Sequence, residues 1–305
     1  MSAPGFARAA DAASLKGMVL GVFAYSLFAF HDALVKDVIM VLPVAQIMFV
    51  RSLVIVLGCL IVGRRRLLAD LAGSTNLPLM LMRAVLTLSA WAMYYSTGRE
   101  LQLAEMTTLY YVAPIITLLL AVVFIKEKLT LARAGAAAIG FFGVVVACNP
   151  GGISIGMPAL MVLMAALFWS IAMILMRTIS KSESSLTQIF FLNLVHLTAM
   201  GLVSIWLWQA MGWRELAFIV ATGVIGGVAQ FVLVEAARQV QAIVLGIVEY
   251  SALFWSFLLG YLFWNEQPAT LVYVGAALVV AAGLVLAWSE QRGRRAIMAV
   301  TPADG

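Results

Sequence analysis

Single polar residues inside long apolar segments are the side chains of this sequence best placed to bind a ligand. Arg51 lies ten or more residues from either end of such a segment, and an arginine at this depth of a membrane needs an internal partner. It either faces a watery path and the anionic group of a solute, or ties helices together through backbone carbonyls or a carboxylate such as Asp32. The sequence leaves both interpretations open.

His196 and Glu249 are two further titratable residues inside apolar segments. For His196, a neutral ring bonded to a neighbouring helix is a simpler interpretation than a proton relay. Glu249 lies about five residues into its segment. A carboxylate there either faces the membrane interface or accepts an ammonium group or a proton.

Polar and aromatic residues share one face of another apolar segment. Arg83, Thr87, Trp91 and Tyr94 follow the spacing i, i+4, i+8 and i+11, which places them on one side of a helix. We expect Trp91 to line a cavity, because such a stripe gains little from facing lipid at mid-depth. Arg83 is predicted to be an anchor that reaches the interface, and Tyr94 and Tyr95 are predicted to be interfacial.

Aromatic residues also stand out in three further apolar segments: Tyr111, Trp169, Tyr250 and Trp255. Pro114 follows Tyr111 by three residues. Because proline lacks a backbone N–H, it is predicted to kink its helix. At membrane depth a kink requires that neighbouring groups satisfy the freed carbonyl.

Motifs for catalysis are missing from the sequence. It contains no G-x-x-x-x-G-K-[ST] loop for ATP, no H-E-x-x-H zinc pair, no G-x-S-x-G elbow and no cysteine and histidine cluster. The polar residues are instead dispersed singly over many segments. We therefore expect a pathway for a solute rather than a catalytic centre, with no metal and no cofactor.

The composition predicts a polytopic membrane protein. Hydrophobic residues make up 64% of the 305 residues and charged residues 11%, with a mean hydropathy of +1.05, whereas soluble domains are about a quarter charged. The net charge of +5 follows from membrane topology and needs no nucleic-acid partner. Cys59 and Cys148 lie in apolar segments and indicate no disulfide. No cleavable signal peptide is expected.

Ten apolar segments are long enough to cross a bilayer as helices of about 20 residues. Asn149 to Gly152 forms the turn between two groups of five. The longest other polar connection runs from Gly63 to Asn76 and leaves no room for a soluble domain. The predicted spans are 17–38, 41–63, 77–98, 103–125, 131–148, 157–177, 186–208, 215–237, 243–264 and 269–288.

The two groups of spans repeat each other at a distance of 139 residues. Arg99 and Glu127 in the first group match Arg238 and Glu266 in the second, and such ordered matches of charged residues indicate a duplication. Because five is odd, the second copy enters the membrane from the opposite face. The sequence therefore predicts an all-α polytopic membrane protein of two inverted five-helix repeats, in which Glu127 and Glu266 have structural roles at helix ends.

The distribution of positive charge predicts the orientation. Fourteen of the 19 lysines and arginines lie on the side of the N-terminus and three on the other side. Because positive residues are retained inside, we expect both termini in the cytoplasm. The predicted divisions are an N-terminal tail (1–16), a first repeat (17–148), a connecting turn (149–156), a second repeat (157–288) and a C-terminal tail (289–305).

The chain resembles the drug/metabolite transporter superfamily. The resemblance rests on Arg51 in the second span and on the residues that end the third and fourth spans of each half, and it covers about residues 15–288. An aromatic-to-basic spacing, Phe28 to Lys36 and Trp169 to Arg177, opens each half. The chain is most similar to EamA-type exporters, and among them to the bacterial aromatic amino-acid exporters of the YddG type. Two positions depart: Leu253 replaces a proline often found there, and Phe28 a tryptophan.

The resemblance implies a basket of helices around a central cavity in the bacterial inner membrane. It implies alternating access and the export of small metabolites, most of all amino acids including aromatic ones. The implied wall of the cavity is Trp91, Tyr111, Trp169, Tyr250 and Trp255, with Arg51 or His196 for a carboxylate and Glu249 for an ammonium group. Arg83, Pro114, Arg99, Arg238, Glu127 and Glu266 would then be gating or structural residues.

Other functions remain open at the level of the sequence. The same scaffold would suit drugs, quaternary ammonium compounds or nucleotide sugars. A different class of function would be an intramembrane enzyme or a membrane subunit without transport activity. The lipid bilayer and a small-molecule substrate are the partners that the sequence implies, and it leaves the energy coupling and the oligomeric state undetermined.

Overall fold

The computed structural model describes residues 4–124, 131–148, 156–240, 242–278, 280–282, 284–285 and 288. These ranges form α-helices with one short 3-10 turn, Thr97–Arg99. The helices are α1 (Pro4–Ile39), α2 (Val44–Ala72), α3 (Leu77–Ser96), α4 (Leu103–Tyr110), α5 (Ala113–Phe124), α6 (Leu131–Cys148), α7 (Met157–Ile179), α8 (Ser185–Leu207), α9 (Trp213–Gln239), α10 (Ala242–Glu249), α11 (Ser251–Trp264) and α12 (Thr270–Ala282).

Length and composition make seven segments of these helices able to cross a membrane: Leu15–Ile39, Val44–Ala72, Leu77–Arg99, Glu105–Phe124, Met157–Ile179, Ser185–Leu207 and Trp213–Gln239. Shorter apolar helices are Ser251–Trp264 and Thr270–Ala282. Large apolar side chains such as Trp206 and Phe142 are exposed, which suits a lipid environment. The predicted all-α polytopic membrane fold is confirmed, and a helix lies in each of the ten predicted spans.

The packing of the helices follows the inverted repeat. α1 packs along α9, α2 along α8, and α3 along α7. The first, second and third helices of one repeat therefore meet the third, second and first of the other, as an antiparallel arrangement of two copies requires. α5 against α7 and α11 against α1 extend the same symmetry to the fourth span.

The second span is a helix with one irregular residue. Arg64 has a φ of 49° and a ψ of −142° within α2, a conformation that is costly for a residue with a side chain. The predicted span ends at residue 63, so the break lies where the chain is predicted to leave the membrane. The remaining turns to Ala72 then end at Gly73.

Both spans that were predicted to contain Tyr111 and Tyr250 are interrupted in the middle. α4 ends at Tyr110 and α5 begins at Ala113, whereas α10 ends at Glu249 and α11 begins at Ser251. Tyr111 and Tyr250 are equivalent positions of the repeat. The predicted irregularity at Pro114 therefore has a counterpart in the second repeat, although the sequence there lacks the proline.

Polar contacts gather at the two ends of the helical bundle. Ser74, Glu183 and Arg238 meet at one end, which also holds Gly17 against Gln239 and Val240; we call it the near side. Lys36, Arg99, Leu101 and Glu266 gather at the other end, which we call the far side. The candidate site lies between these two ends.

Candidate functional site

A cavity lies at the seam between the two repeats. The middle of α1, one face of α3 and the interrupted helices on both sides of the seam form its walls. Its volume is about 60 Å³, enough for a few water molecules. The side chains that line it are Tyr25, Phe28, Ala29, Asp32, Trp91, Tyr94, Tyr95, Thr107, Tyr110, Tyr111, Trp169, Glu249, Ala252 and Ser256.

Equivalent residues of the two repeats face each other here. Phe28 and Trp169 meet edge to face with ring centres 6.4 Å apart. Tyr111 and Tyr250 do the same at 5.3 Å. Such contacts between symmetry mates place the axis that relates the repeats beside the cavity. A solute at this point would touch both repeats.

Two carboxylates reach the cavity, and each lies among hydrogen-bond donors. Asp32 accepts from the His31 ring nitrogen Nδ1 at 3.0 Å and from the Tyr95 hydroxyl at 3.3 Å. Glu249 lines the same cavity as Tyr25 and Trp169, whose side-chain donors have no hydrogen-bond partner among the described residues. Among the described residues that line the cavity there is no lysine or arginine. Aromatic faces next to carboxylates form a surface suited to a cation.

Arg51 lies behind one wall of this cavity. It is 1% exposed, and its guanidinium carbon is 4.1 Å from the centre of the Trp91 ring. Nη1 lies 3.2 Å from Nε2 of His31, whereas Nε and Nη2 have no hydrogen-bond partner among the described residues. Trp91 thus separates this buried charge from the cavity.

His196 also packs against Trp91, and it does not line the cavity. The two rings meet edge to face at 5.5 Å, and the Nε2 of His196 donates to the backbone oxygen of Ala84 at 2.9 Å. This bond joins α8 to α3, as the simpler interpretation of the sequence expects. His196 is fully buried.

The structure brings four of the eight predicted substrate-binding residues to the cavity: Trp91, Tyr111, Trp169 and Glu249. Arg51 and His196 form the layer behind Trp91. Tyr250 contacts Tyr111 but faces an apolar groove beside α12. Trp255 packs on Phe30 and donates its Nε1–H to Ser26.

Two of the predicted gating or structural residues, Arg99 and Arg238, bind backbone carbonyls. Arg99 donates to Ile39 and Leu42 between α1 and α2, and its repeat equivalent Arg238 donates to Glu183 between α7 and α8. Leu42 and Glu183 are also equivalent positions of the two repeats, because they are as far apart in sequence as Phe28 and Trp169. The two arginines therefore hold matching connections at opposite ends of the molecule.

Arg83 and Glu266, two further members of this group, have side-chain partners, and Pro114 lies in the first turn of α5. Arg83 is buried and donates to Gln188 on α8 at 3.0 Å, so it joins helices rather than reaching the interface as predicted. The buried Gln188 side chain accepts a hydrogen bond from the guanidinium inside the protein, so Arg83 does not have to reach water at the interface. Glu266 pairs with Lys36 on the far side, and Glu127 lies outside the described residues.

Several lining residues were not expected from the sequence. Tyr94 and Tyr95 were predicted to be interfacial, but both are buried and line the cavity, because α3 presents this face to α4 and α1 rather than to lipid. Tyr25, Phe28 and Asp32 were missed as a group. Their spacing of three and four residues puts them on one helix face, a signal that the sequence does contain.

Comparison with known proteins gives a match over nearly the whole chain. The sequence model of the EamA-like transporter family matches residues 15–148 and again residues 156–288. A crystal structure shares the fold with a TM-score of 0.70 over 92% of this chain and 98% of that chain. The sequence identity to that chain is 20%.

Characterised relatives carry several kinds of solute. A pseudopaline exporter of Pseudomonas aeruginosa is 26% identical over 90% of this chain and 97% of its own length. An S-adenosylmethionine uptake transporter of Rickettsia conorii is 27% identical over 63% of this chain and 66% of its own. A riboflavin transporter of Rhizobium johnstonii is 29% identical over 60% of this chain and 61% of its own.

Proposed function

The chain belongs to the EamA-like transporter family, and we propose that it is a secondary transporter that exports small metabolites, amino acids including aromatic ones first among them. Transport proceeds by alternating access. Two inverted repeats have two nearly mirror-image arrangements, which open one midplane site to opposite sides in turn. The family and the three relatives named above are transporters, so an enzymatic function is not proposed.

The observation that carries this proposal is the chemistry of the cavity at the seam. Its aromatic side chains, with Trp91 and Trp169 stacked at 6.3 Å, offer broad faces to an apolar or aromatic body. Asp32 and Glu249 offer negative charge to an amino group. The side chain and the amino group of an aromatic amino acid match these two features, and its carboxylate would reach Arg51, which lies behind Trp91, when the walls separate.

The size of the cavity supports movement of the repeats. Its volume of about 60 Å³ is well below the roughly 300–1,000 Å³ of ligand pockets. A substrate therefore enters only when the walls separate. Because equivalent residues of the two repeats form those walls, a relative rotation of the repeats widens the cavity from either side.

The same cavity favours a second candidate, the export of cationic drugs and quaternary ammonium compounds. Aromatic rings with a carboxylate recognise a permanent positive charge without needing an N–H donor. Nucleotide sugars have less support, because phosphate binding calls for basic side chains and the described lining residues include none. The relatives named for S-adenosylmethionine and riboflavin, two metabolites with aromatic ring systems, support an aromatic substrate.

A flux assay in proteoliposomes tests the function. The purified chain is expected to carry radiolabelled tryptophan or tetraphenylphosphonium, and Trp91→Ala and Trp169→Ala are each expected to slow the initial rate by about tenfold, since an aromatic contact is worth roughly 1–2 kcal/mol. Trp206→Ala is the matched control, because Trp206 is 78% exposed and faces lipid. Unchanged rates in both cavity variants, with normal insertion, contradict the aromatic wall.

Complete absence of flux for every solute has a different meaning. It supports a subunit that acts only with a partner. The direction of export rests on cytoplasmic termini, which the excess of positive residues on the near side favours. A reporter enzyme fused to the C-terminus is expected to be active only in the cytoplasm, and activity outside the inner membrane contradicts that orientation.

A further inference from the structure

Three polar side chains form a buried chain that ends at the cavity. Arg51 on α2 contacts His31 on α1 at 3.2 Å, and His31 contacts Asp32 at 3.0 Å. Arg51 and His31 are each 1% exposed. Only the last member, Asp32, lines the cavity, and its side chain is 26% exposed.

The geometry sets the protonation state of the middle residue. Arginine can only donate hydrogen bonds, so the Nε2 of His31 is the acceptor for Arg51. A carboxylate can only accept, so the Nδ1 of His31 carries the proton and donates to Asp32. The imidazole is thereby neutral, with Arg51 positive on one side and Asp32 negative on the other. The two buried charges balance each other across the ring.

Close packing fixes the position of the ring. A Cβ at Gly226 on α9 would lie 2.9 Å from the Cδ2 of His31, which is closer than real contacts allow. The glycine therefore lets the helix approach the imidazole edge. On the other side, the indole of Trp91 covers Arg51. His31 thus has little room to turn away from Asp32.

We propose that Asp32 binds the positive charge of the substrate, and that His31 and Arg51 are positioning residues that hold its carboxylate toward the cavity. The proposal deepens the proposed function and depends on it. Asp32 is favoured over Glu249 because Glu249 is only 4% exposed. A substrate ammonium group reaches Asp32 with less movement of the walls.

Binding of tryptamine to the purified protein tests the role of Asp32. Tryptamine has an indole ring and an ammonium group, whereas tryptophol has the same ring and a neutral hydroxyl. The wild-type protein is expected to prefer tryptamine by tenfold or more, and Asp32→Asn to abolish that preference while it leaves tryptophol binding unchanged. Asp37→Asn, an exposed carboxylate five residues further along α1 and paired with Arg214, is the matched control and is expected to retain the preference.

The positioning role makes separate predictions. His31→Leu is expected to weaken tryptamine binding about as much as Asp32→Asn, whereas His31→Gln, which keeps a donor and an acceptor, restores most of the affinity. The double variant His31→Leu/Asp32→Asn is expected to be no weaker than Asp32→Asn alone, because one residue acts through the other. Additive losses contradict the positioning role.

A glycine variant tests the same idea without altering a polar group. Gly226→Ala displaces His31 and is expected to reduce tryptamine affinity several-fold. Gly227→Ala is the matched control on the next residue, because its Cβ would meet only side-chain carbons of Ile55, the nearest at 3.3 Å. Gly226→Ala remains informative even when Asp32→Asn fails to fold.

The outcomes distinguish a failure of the proposed transport function from a failure of the role assigned to Asp32. A wild-type protein that binds neither tryptamine nor tetraphenylphosphonium and carries no solute contradicts the proposed function. A wild-type protein that binds tryptamine, with Asp32→Asn and Gly226→Ala both binding as tightly, contradicts the assignment of Asp32 and leaves the function intact.

Discussion

At the scale of residues, the hydroxyl of Tyr111 binds the backbone at the break in the second repeat, where Leu253 stands at the position equivalent to Pro114. In a continuous helix the N–H of Leu253 would bond to the carbonyl of Glu249, but it bonds to that of Tyr250 at 3.1 Å. The carbonyl of Glu249 instead accepts from the hydroxyl of Tyr111 at 3.0 Å. A side chain of the first repeat therefore satisfies the carbonyl freed in the second, as a break at membrane depth requires.

Removal of this hydroxyl is expected to straighten the second break. In Tyr111→Phe the Glu249 carbonyl is left without its partner, which costs about 1–3 kcal/mol unless the helix closes and Leu253 takes the bond. We expect export to slow by about fivefold to tenfold, a change of roughly 1–1.4 kcal/mol in a barrier, as measured by flux in proteoliposomes.

A proline at the matching position provides the rescue. Leu253→Pro removes the competing N–H, so Tyr111→Phe/Leu253→Pro is expected to export faster than Tyr111→Phe alone. Tyr261→Phe is the control, because Tyr261 is 56% exposed on α11. Wild-type export by Tyr111→Phe would show that the hydroxyl does not maintain the break.

At the scale of elements, the two interrupted spans are the parts best able to deform. Each break leaves a short helix on one side of the cavity and a longer one on the other. The breaks lie against each other, since α10 packs on α5 and a Cβ at Gly246 would lie 3.2 Å from Pro114. A change of angle at one break is thereby transmitted to the other.

Restoring the hydrogen bond at the first break is expected to stiffen this pair. Pro114→Ala regains an N–H that can bond to the carbonyl of Tyr110, so α4 and α5 can join into one continuous helix. We expect a higher melting temperature in detergent together with a lower maximal export rate. Pro158→Ala is the control, because Pro158 lies in the first turn of α7, where proline is tolerated. A variant that exports at the normal rate would remove the break from the mechanism.

At the scale of the whole molecule, a largely buried contact joins the two repeats on the far side. Lys36 of the first repeat forms an ion pair with Glu266 of the second, and both side chains are largely buried. Lys36 also donates to the carbonyl of Leu101, and Glu266 accepts from the N–H of Leu103 at 2.9 Å. We expect this group to separate when the cavity opens to the far side.

Loss of one partner is expected to favour opening on the far side. Glu266→Gln removes the charge but keeps the shape, so Lys36 is left buried without its counterion, an arrangement that costs several kcal/mol. A cysteine introduced at Ser256, in a chain with Cys59 and Cys148 replaced by alanine, is expected to react several-fold faster with a membrane-impermeant maleimide. Arg214→Gln, which removes an exposed pair with Asp37, serves as control. Equal labelling rates in all three chains would show that the ion pair does not close the far side.

The sequence by itself determined the membrane fold, the ten spans and the inversion of the two halves. Hydropathy over about 20 residues is a local property, and a repeat with an odd number of spans leaves one topology. Aromatic residues at mid-depth, such as Trp91 and Trp169, were also predictable as cavity-lining candidates.

The tertiary structure alone decided which side chains meet. Arg51 and Asp32 are joined only because α1 and α2 place His31 between them. The hydroxyl of Tyr111 reaches the Glu249 carbonyl at the second break only because the two repeats pack against each other. The first contact joins helices through residues 20 apart in sequence and the second through residues 138 apart. Both depend on how the helices pack, which no local pattern of polarity records.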